Sequence, residues 1–256
     1  MGLTEIGQKR SEEHARRVRD MFAKIAPRYD LLNHILSVNT DKRWRRRVVR
    51  ELKALLPQGA HVLDVGCGTG DLSIELFDRT AAHITGVDFC GPMLTLAKRK
   101  ASQLQFIAGD ALSLPFAEAS FDGLTIGFAL RNLADVERGL RELLRVLKPN
   151  GHVAILEFSQ PVNRTFGRMI AFYNWRLLPW IGGLVSGSRG AYEYLPDSIS
   201  RFPNQETLAA MMRAAGFVDV RFENLSGGIA ALHIGRRGSP AISTSGDARD
   251  RSCATD

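Results

Sequence analysis

From His61 onward the chain alternates short apolar runs with segments whose apolar residues recur every three or four positions. HVLDVG (61–66), HITGVD (83–88), LQFIAGD (104–110), FDGLTIGFAL (121–130) and HVAILEFS (152–159) are the near-continuous runs. Such runs are the pattern of strands buried on both faces of a parallel sheet. Between them, DLSIELFDR (71–79), GPMLTLAKRKA (91–101) and DVERGLRELLRVLK (135–148) carry apolar residues at helical spacing. Pro92 stands at a helix start, where its missing N–H has no intrahelical partner to lose. Pro149-Asn150-Gly151 reads as the turn that ends the third of these helices. Near the end come a helix, NQETLAAMMRAAG (204–216), and two strands, VDVRFENL (218–225) and IAALHIG (229–235). Only Ser226-Gly227-Gly228 separates those strands, which permits a hairpin and forbids a parallel crossover. The alternation predicts an α/β protein with a doubly wound sheet, mostly parallel and finished by a C-terminal antiparallel hairpin.

Three segments fall outside that rhythm. Residues 1–60 read as a basic helical N-terminal segment. Residues 61–237 form the sheet domain, with an insertion at 160–203. The tail, 238–256, is small, polar and aperiodic, the composition of a disordered segment. Within the insertion, MIAFYNWRLLPWIGGLVSG (169–187) is strongly apolar, but Arg176, Pro179 and Gly182-Gly183 interrupt it. It is too interrupted for a comfortable transmembrane helix and reads as a lid packed over the core, or else as a cover for a greasy substrate or a membrane contact.

Length and charge narrow the picture. A chain of 256 residues can bury the core of one sizeable α/β domain. Cys67, Cys90 and Cys253 are too few and too scattered for a disulfide framework or a zinc knuckle, so no metal site and a reducing cytoplasm are expected. Met1 to Asp20 lacks an apolar stretch, so no signal peptide is expected. The net charge of +7 sits entirely at one end. Residues 1–60 hold 14 Lys/Arg against 7 Asp/Glu, and the rest of the chain holds 20 against 20. The excess is concentrated in DKRWRRRVVRELK (41–53). That run is either a solvated helix face or an attraction to nucleic acid or an anionic membrane.

The candidate chemistry begins at VLDVGCGTGD (62–71). Gly66, Gly68 and Gly70 allow a tight turn and a close backbone approach to a ligand. In an open parallel sheet, ligands sit beyond the carboxyl ends of the strands, and this turn is at that place. Asp88 ends the second strand, where a carboxylate can accept hydrogen bonds from two ribose hydroxyls. Asp110-Ala111 ends the third, where the acid can face an adenine amino group with Leu112 or Leu114 against the ring. A pyrophosphate binder would show G-x-G-x-x-G. Here the spacing is G-C-G-T-G-D, flanked by Asp64 and Asp71 with no basic residue inside. Acids in those places suit a ligand with a cationic amino-acid end, as in S-adenosylmethionine.

The arrangement resembles the class I S-adenosylmethionine-dependent methyltransferases over residues 61–235, which implies their Rossmann-like fold. Longer motifs go further. FAKIAPRYDLLNHILSVNTDKRW (22–44), GFALRNLAD (127–135), RVLKPNGHVAILEFS (145–159), YEYLPDSISRFPNQETLAAMMRAAGF (192–217) and SGGIAALHIG (226–235) are similar to the ubiquinone/menaquinone-biosynthesis C-methyltransferase family, from about Met21 to Arg237. The chain departs from that family's pattern at Leu32 (usually Met), Asp41 (usually His), Asn150 (usually Gly) and Gly127 (often Ser beside the cofactor). The resemblance implies methyl transfer from S-adenosylmethionine to a ring carbon of a prenylated quinol. The product would be menaquinol from demethylmenaquinol, or a methylated benzoquinol on the ubiquinone route. Thr69, Asp88, Asp110 and Ala111 match the family's cofactor positions, and Gly66, Gly68 and the backbone of Gly127 complete the expected cofactor set.

For the chemistry, Arg131-Asn132 follow the fourth strand, where an acceptor would lie over the methyl group. Arg131 is expected to stabilise a developing quinolate or orient a water, and Asn132 to hydrogen-bond a ring oxygen. Tyr29 and Asp30 would close the site from above. His34, His233 and Glu157 are further base candidates, although a lone histidine is more often structural. Phe172, Tyr173, Trp175 and Trp180 of the insertion would line a path for the prenyl tail. The basic segment would then hold the enzyme at the cytoplasmic face of a membrane, each Lys/Arg contributing about 1 kcal/mol. No nucleic acid is expected as a partner. Three rivals stay open at this point: an RNA or tRNA methyltransferase, a nicotinamide-dependent oxidoreductase, and a cofactor-binding regulator without catalysis.

Overall fold

The computed structural model describes residues 3–31, 37, 39–172 and 189–239. Two helices, α1 (Leu3–Ile25) and α2 (Thr40–Lys53), precede the sheet. Then follow β1 (His61–Val65), α3 (Asp71–Arg79), β2 (His83–Asp88), α4 (Gly91–Lys100), β3 (Gln105–Ala108), β4 (Phe121–Gly127), α5 (Val136–Val146) and β5 (Leu147–Phe158). The chain continues through α6 (Arg164–Phe172), α7 (Arg189–Arg201), α8 (Gln205–Ala214), β6 (Phe217–Leu225) and β7 (Ala230–Arg237). The sheet order is β3-β2-β1-β4-β5-β7-β6. Pairs among β1 to β5 are parallel, and β7 runs antiparallel to both β5 and β6. This is the doubly wound sheet with a closing hairpin that the alternation predicts.

Strand side chains alternate between two cores, because successive residues point to opposite faces. Val62, Ala154 and Leu156 pack under α2, α3 and α4. Leu63, Val65, Leu124, Ile126, Val153 and Ile155 pack against α5 and α8. Burial on both faces is why these strands read as unbroken apolar runs. The basic segment is joined to this architecture. Trp44, Val48, Val49 and Leu52 of α2 are buried in the first core, while Lys42, Arg43, Arg46 and Arg50 stay exposed. Helix starts follow their capping residues: the Asp135 carboxylate accepts from the Arg138 N–H at 2.9 Å, and the Asn204 side chain from the Thr207 N–H at 2.9 Å.

Three expectations need correction. β4 does not run to Leu130. It stops at Gly127 because Phe128 takes a left-handed conformation (φ 57°), and Leu130–Asn132 form a 3-10 turn. Pro149–Gly151 do not separate helix from strand either. β5 begins at Leu147, the chain bulges between the Phe121–Leu147 and Gly123–His152 pairs, and Asn150 sits at φ 63° in the bulge. β3 ends at Ala108 rather than Asp110, since Asp110 turns the chain by accepting from the Leu112 N–H at 2.9 Å.

The expected lid is described in part. α6 and α7 flank it, while Tyr173, Trp175 and Trp180, like His34 and the tail from residue 240, lie outside the described residues. Among the described residues, no helix is long and apolar enough to cross a membrane.

Candidate active site

The glycine turn after β1 is fastened to the end of β2. The Cys67 N–H donates to the Val87 carbonyl at 3.1 Å, and the Gly68 N–H to Asp88 Oδ2 at 2.8 Å. Gly66, Gly68 and Gly70 all adopt positive φ, at 64°, 56° and 85°. Gly66 is further constrained, because a Cβ there would stand 2.4 Å from the Cβ of Ala129 on the β4 turn. The turn therefore presses its backbone against the Ala129 side chain across the sheet's switch point.

A cleft opens above it, at the carboxyl ends of the parallel strands. Its walls come from Val65, Gly66 and Gly68 after β1, Val87 to Cys90 after β2, Gly109 to Leu112 after β3, and Ile126 to Ala129 with Asn132 after β4. Ala15 and Phe22 of α1, with Tyr29, close it from above. Among the described residues lining it there is no Lys, Arg or His. Asp88 is nearly buried, and its other oxygen accepts from the Cys90 N–H at 2.8 Å. Burial pushes its pKa up, and the backbone N–H groups of Cys90, Gly68 and Phe89 hold it down against that effect. Burial pushes the Cys67 thiol well up, so it stays protonated beside the cleft.

The turn after β4 shapes the opposite wall. Phe128, a bulky residue at positive φ, is an uncommon conformation held in place by its surroundings. Its N–H donates to the Leu156 carbonyl at 2.8 Å. Its carbonyl accepts from Arg131 Nη1 and from Asn132 Nδ2, the latter at 3.3 Å. Asn132 faces the cleft, with its Oδ1 accepting from the Tyr194 hydroxyl of α7 at 3.1 Å. Burial pushes the Tyr194 phenol up, so it remains a donor. His14 of α1 bonds the Asn132 carbonyl at 3.2 Å.

Of the residues expected at the site, Gly66, Gly68, Asp88, Asp110, Ala111, Gly127, Asn132 and Tyr29 line the cleft. Thr69 and Arg131 do not. The Thr69 hydroxyl donates to Asp30 Oδ1 at 2.5 Å, and Lys100 bridges Asp30 and Asp71. The Arg131 guanidinium is 5% exposed and pairs with Glu157 at 2.7 Å, with its carbon 5.2 Å from the Phe158 ring centroid. Glu157 also accepts the backbone N–H groups of Arg131 and Phe158, so it is committed to this pair rather than open as a base. His233 is buried, bonds the Gln205 carbonyl at 2.8 Å, and has its pKa lowered by burial, as a structural histidine would.

The two acids flanking the turn do not face the ligand space, which corrects the argument for a cationic end built on them. Asp64 is 1% exposed and accepts from the Ser73 hydroxyl at 2.6 Å and the Thr125 hydroxyl at 2.7 Å. Burial pushes its pKa up to about 6. Asp71 pairs with Lys100 and, at 3.1 Å, with Arg45. Leu114 also turns into the core, leaving Leu112 at the cleft. Sequence reading missed Ala15, Phe22, Phe128 and Tyr194. The apolar stripe Ala15, Val18, Phe22 and Ile25 on α1 was a visible signal for the first two.

Sheet order, glycine turn and a cleft at the switch point define a Rossmann-like α/β fold with its ligand site at the carboxyl ends of the strands. A solved S-adenosylmethionine-dependent methyltransferase from Thermotoga maritima, described as a possible histamine N-methyltransferase, shares that fold. It has a TM-score of 0.55 at 22% identity, covering 78% of this chain and 96% of that one. The chain belongs to the ubiE/COQ5 methyltransferase family, whose model matches residues 8–237. It is 49% identical to a demethylmenaquinone methyltransferase of Thermus thermophilus, over 85% of this chain and all of that one. It is 43% identical to a ubiquinone/menaquinone biosynthesis C-methyltransferase of Geobacter sulfurreducens, over 91% of this chain and 93% of that one.

Proposed function

We propose that this chain transfers a methyl group from S-adenosylmethionine to a ring carbon of a prenylated quinol, with demethylmenaquinol as the preferred acceptor. The structural observation that carries the reading is the cleft running from Asp88 to Asn132, whose described lining holds no cationic side chain. The cofactor fits its lining. Asp88 offers acceptors to ribose hydroxyls, Asp110 offers one to an adenine amino group, and Phe89, Met93 and Leu112 supply apolar walls. Gly66 leaves no room for a side chain and so brings backbone close to the ligand. Thr69 contributes one step removed, by holding Asp30 against the turn.

Bound S-adenosylmethionine supplies an electrophilic methyl group. The chain would align a quinol carbon with it; the ring-hydroxyl proton would pass to water, the site would stabilise the charge left on the ring oxygen, and the ring C–H proton would follow to water once the carbon is methylated. Asn132 lines the cleft; one hydrogen of its Nδ2 goes to the Phe128 carbonyl, the other is left to donate to a ring oxygen, and the Tyr194 hydroxyl fixes the amide's orientation from its other end. Arg131 acts through the turn: paired with Glu157, it grips the Phe128 carbonyl and sets where Asn132 stands. Tyr29 and α1 exclude water above the reacting centre. Alignment of this kind can lower a barrier by about 7–11 kcal/mol in favourable cases. An acceptor of this chemistry lives in a bilayer, so the enzyme works against the cytoplasmic face of a membrane.

The relatives' names favour quinone methylation over the RNA reading. The test uses purified protein, labelled S-adenosylmethionine, and reduced demethylmenaquinone in detergent. Label in the naphthoquinone ring supports the proposal. No label in the quinone, with label in added tRNA, overturns it.

A further inference from the structure

The outer side of α2 carries cations on a single stripe. At 100° per residue, Lys42, Arg43, Arg46, Arg50 and Lys53 fall within roughly 100° of the helix circumference. All five are exposed, on the side opposite the buried Trp44, Val48 and Leu52. Among the described residues, Lys42, Arg43, Arg50 and Lys53 form no ion pair, and Arg46 reaches only Glu75, at 3.5 Å, which Arg79 shares. Arg43, Arg46, Arg50 and Lys53 border a wide groove that ends at Leu225 and Ser226 and, among the described residues, has no acidic side chain in its lining. A charge-stabilised helix face would interleave acids at i±4. This one leaves its charge unneutralised.

The groove continues into apolar surface. Ser226 also borders a shallow notch formed by Val162, Phe166 and Gly227. Val162 is 64% exposed and Met169 58% exposed. Met169 lies three residues beyond Phe166 on α6, hence on the same helix face. Scattered apolar residues on a surface need no explanation. Large ones at the rim of an unneutralised basic groove match the two components of an interfacial membrane contact, charge for headgroups and apolar side chains for the acyl boundary.

We propose that this face docks on an anionic lipid bilayer, with Arg43, Arg46, Arg50 and Lys53 against headgroups and Val162 and Met169 dipping below them. The proposal deepens the membrane contact proposed above by naming its surface. It does not depend on which quinol is methylated. Nucleic acid would use the cations alone and leave Val162 and Met169 idle, so it is the weaker match.

The experiment is flotation of the full chain with vesicles of phosphatidylcholine carrying 0 or 30% phosphatidylglycerol, across a salt series. Wild type binds only the anionic vesicles, more weakly as salt rises. Each cation near an anionic surface strengthens binding about fivefold. The triple variant R43Q/R50Q/K53Q therefore binds roughly 100-fold more weakly. V162S/M169Q binds roughly tenfold more weakly at every salt concentration, because its loss is apolar. Both variants keep wild-type turnover on a short-chain quinol in detergent, and this also shows that they fold. Wild type that ignores anionic vesicles at low salt overturns the proposal. So does equal binding by wild type and the triple variant, or tRNA displacing the vesicles at equal phosphate concentration. Turnover on the soluble quinol is read separately, so failure of the docking surface and failure of the quinol reading are distinguishable.

Discussion

Asp64 is the sharpest test of the physical reasoning. Its carboxylate is 1% exposed, satisfied by the hydroxyls of Ser73 and Thr125 but without a cationic partner. Burial raises its pKa from 3.8 to about 6. In the unfolded chain it returns to the ordinary value. Below the unfolded value both states carry the proton, and Asp64 costs nothing. As pH rises through the window up to about 6, the unfolded chain releases the proton first. The folded state loses stability steadily, until above the folded pKa the full penalty is present. The difference between the two pKa values corresponds to about 3 kcal/mol. Asp64→Asn removes the titration and keeps the shape. Its Oδ1 accepts from one hydroxyl, and its Nδ2 donates to the other, whose proton rotates away. Urea denaturation of wild type and Asp64→Asn at pH 4 to 8 is the assay. The variant should match wild type near pH 4 and exceed it by about 3 kcal/mol at pH 8, with an unchanged m-value. A difference that does not vary with pH would refute the reasoning, since an ordinary pKa would then hold at Asp64.

Three further outcomes follow from contacts at the cleft. Gly66→Ala places a Cβ 2.4 Å from that of Ala129 and forces a side chain into φ 64°, so cofactor affinity by calorimetry should fall at least about tenfold. Adding Ala129→Gly should restore the steric part but not the conformational part, which leaves about 1 kcal/mol. Glu157→Ala strands the Arg131 guanidinium and two N–H groups, and should cost about 3–5 kcal/mol in chemical denaturation; a loss under about 1 kcal/mol would mean the pair is not desolvated. Tyr194→Phe removes the hydroxyl on Asn132 Oδ1 and should lower kcat about fivefold at unchanged cofactor affinity, a split that a general loss of folding could not give.

The sheet was legible because its strands are buried on both sides, and an apolar run such as HVAILEFS has few other uses. The ends of β1 and β2 were legible for a related reason: glycines and an acid stand where apolar residues stop. What lay beyond pattern was side-chain direction. Asp64 sits between Leu63 and Val65, which face the α5 side, so it must face the other way, but only the fold reveals that Ser73 and Thr125 wait there. Arg131 directly follows the strand that ends at the cleft, yet it turns inward, because Phe128 at positive φ redirects the chain. Nothing in a phenylalanine announces that conformation. Thr69 and Lys100 meet Asp30 across nearly the whole length of the first two βα units, a contact that no local spacing encodes.

The N-terminal helix gives this enzyme a kinetic signature. Ala15 and Phe22 close the cleft from above, His14 bonds the Asn132 carbonyl, and the Asp30–Lys100–Thr69 contacts fasten the chain just beyond the helix. Where a ceiling of this kind has to lift before a bound product can leave, release rather than chemistry sets the pace of repeated turnover. A stopped-flow trace should show one rapid equivalent of methylated quinol per protein before the slower steady state, and a linear trace from the first turnover would place the slow step in the chemistry instead. The contacts that close the cleft would then act as a clock on the cycle.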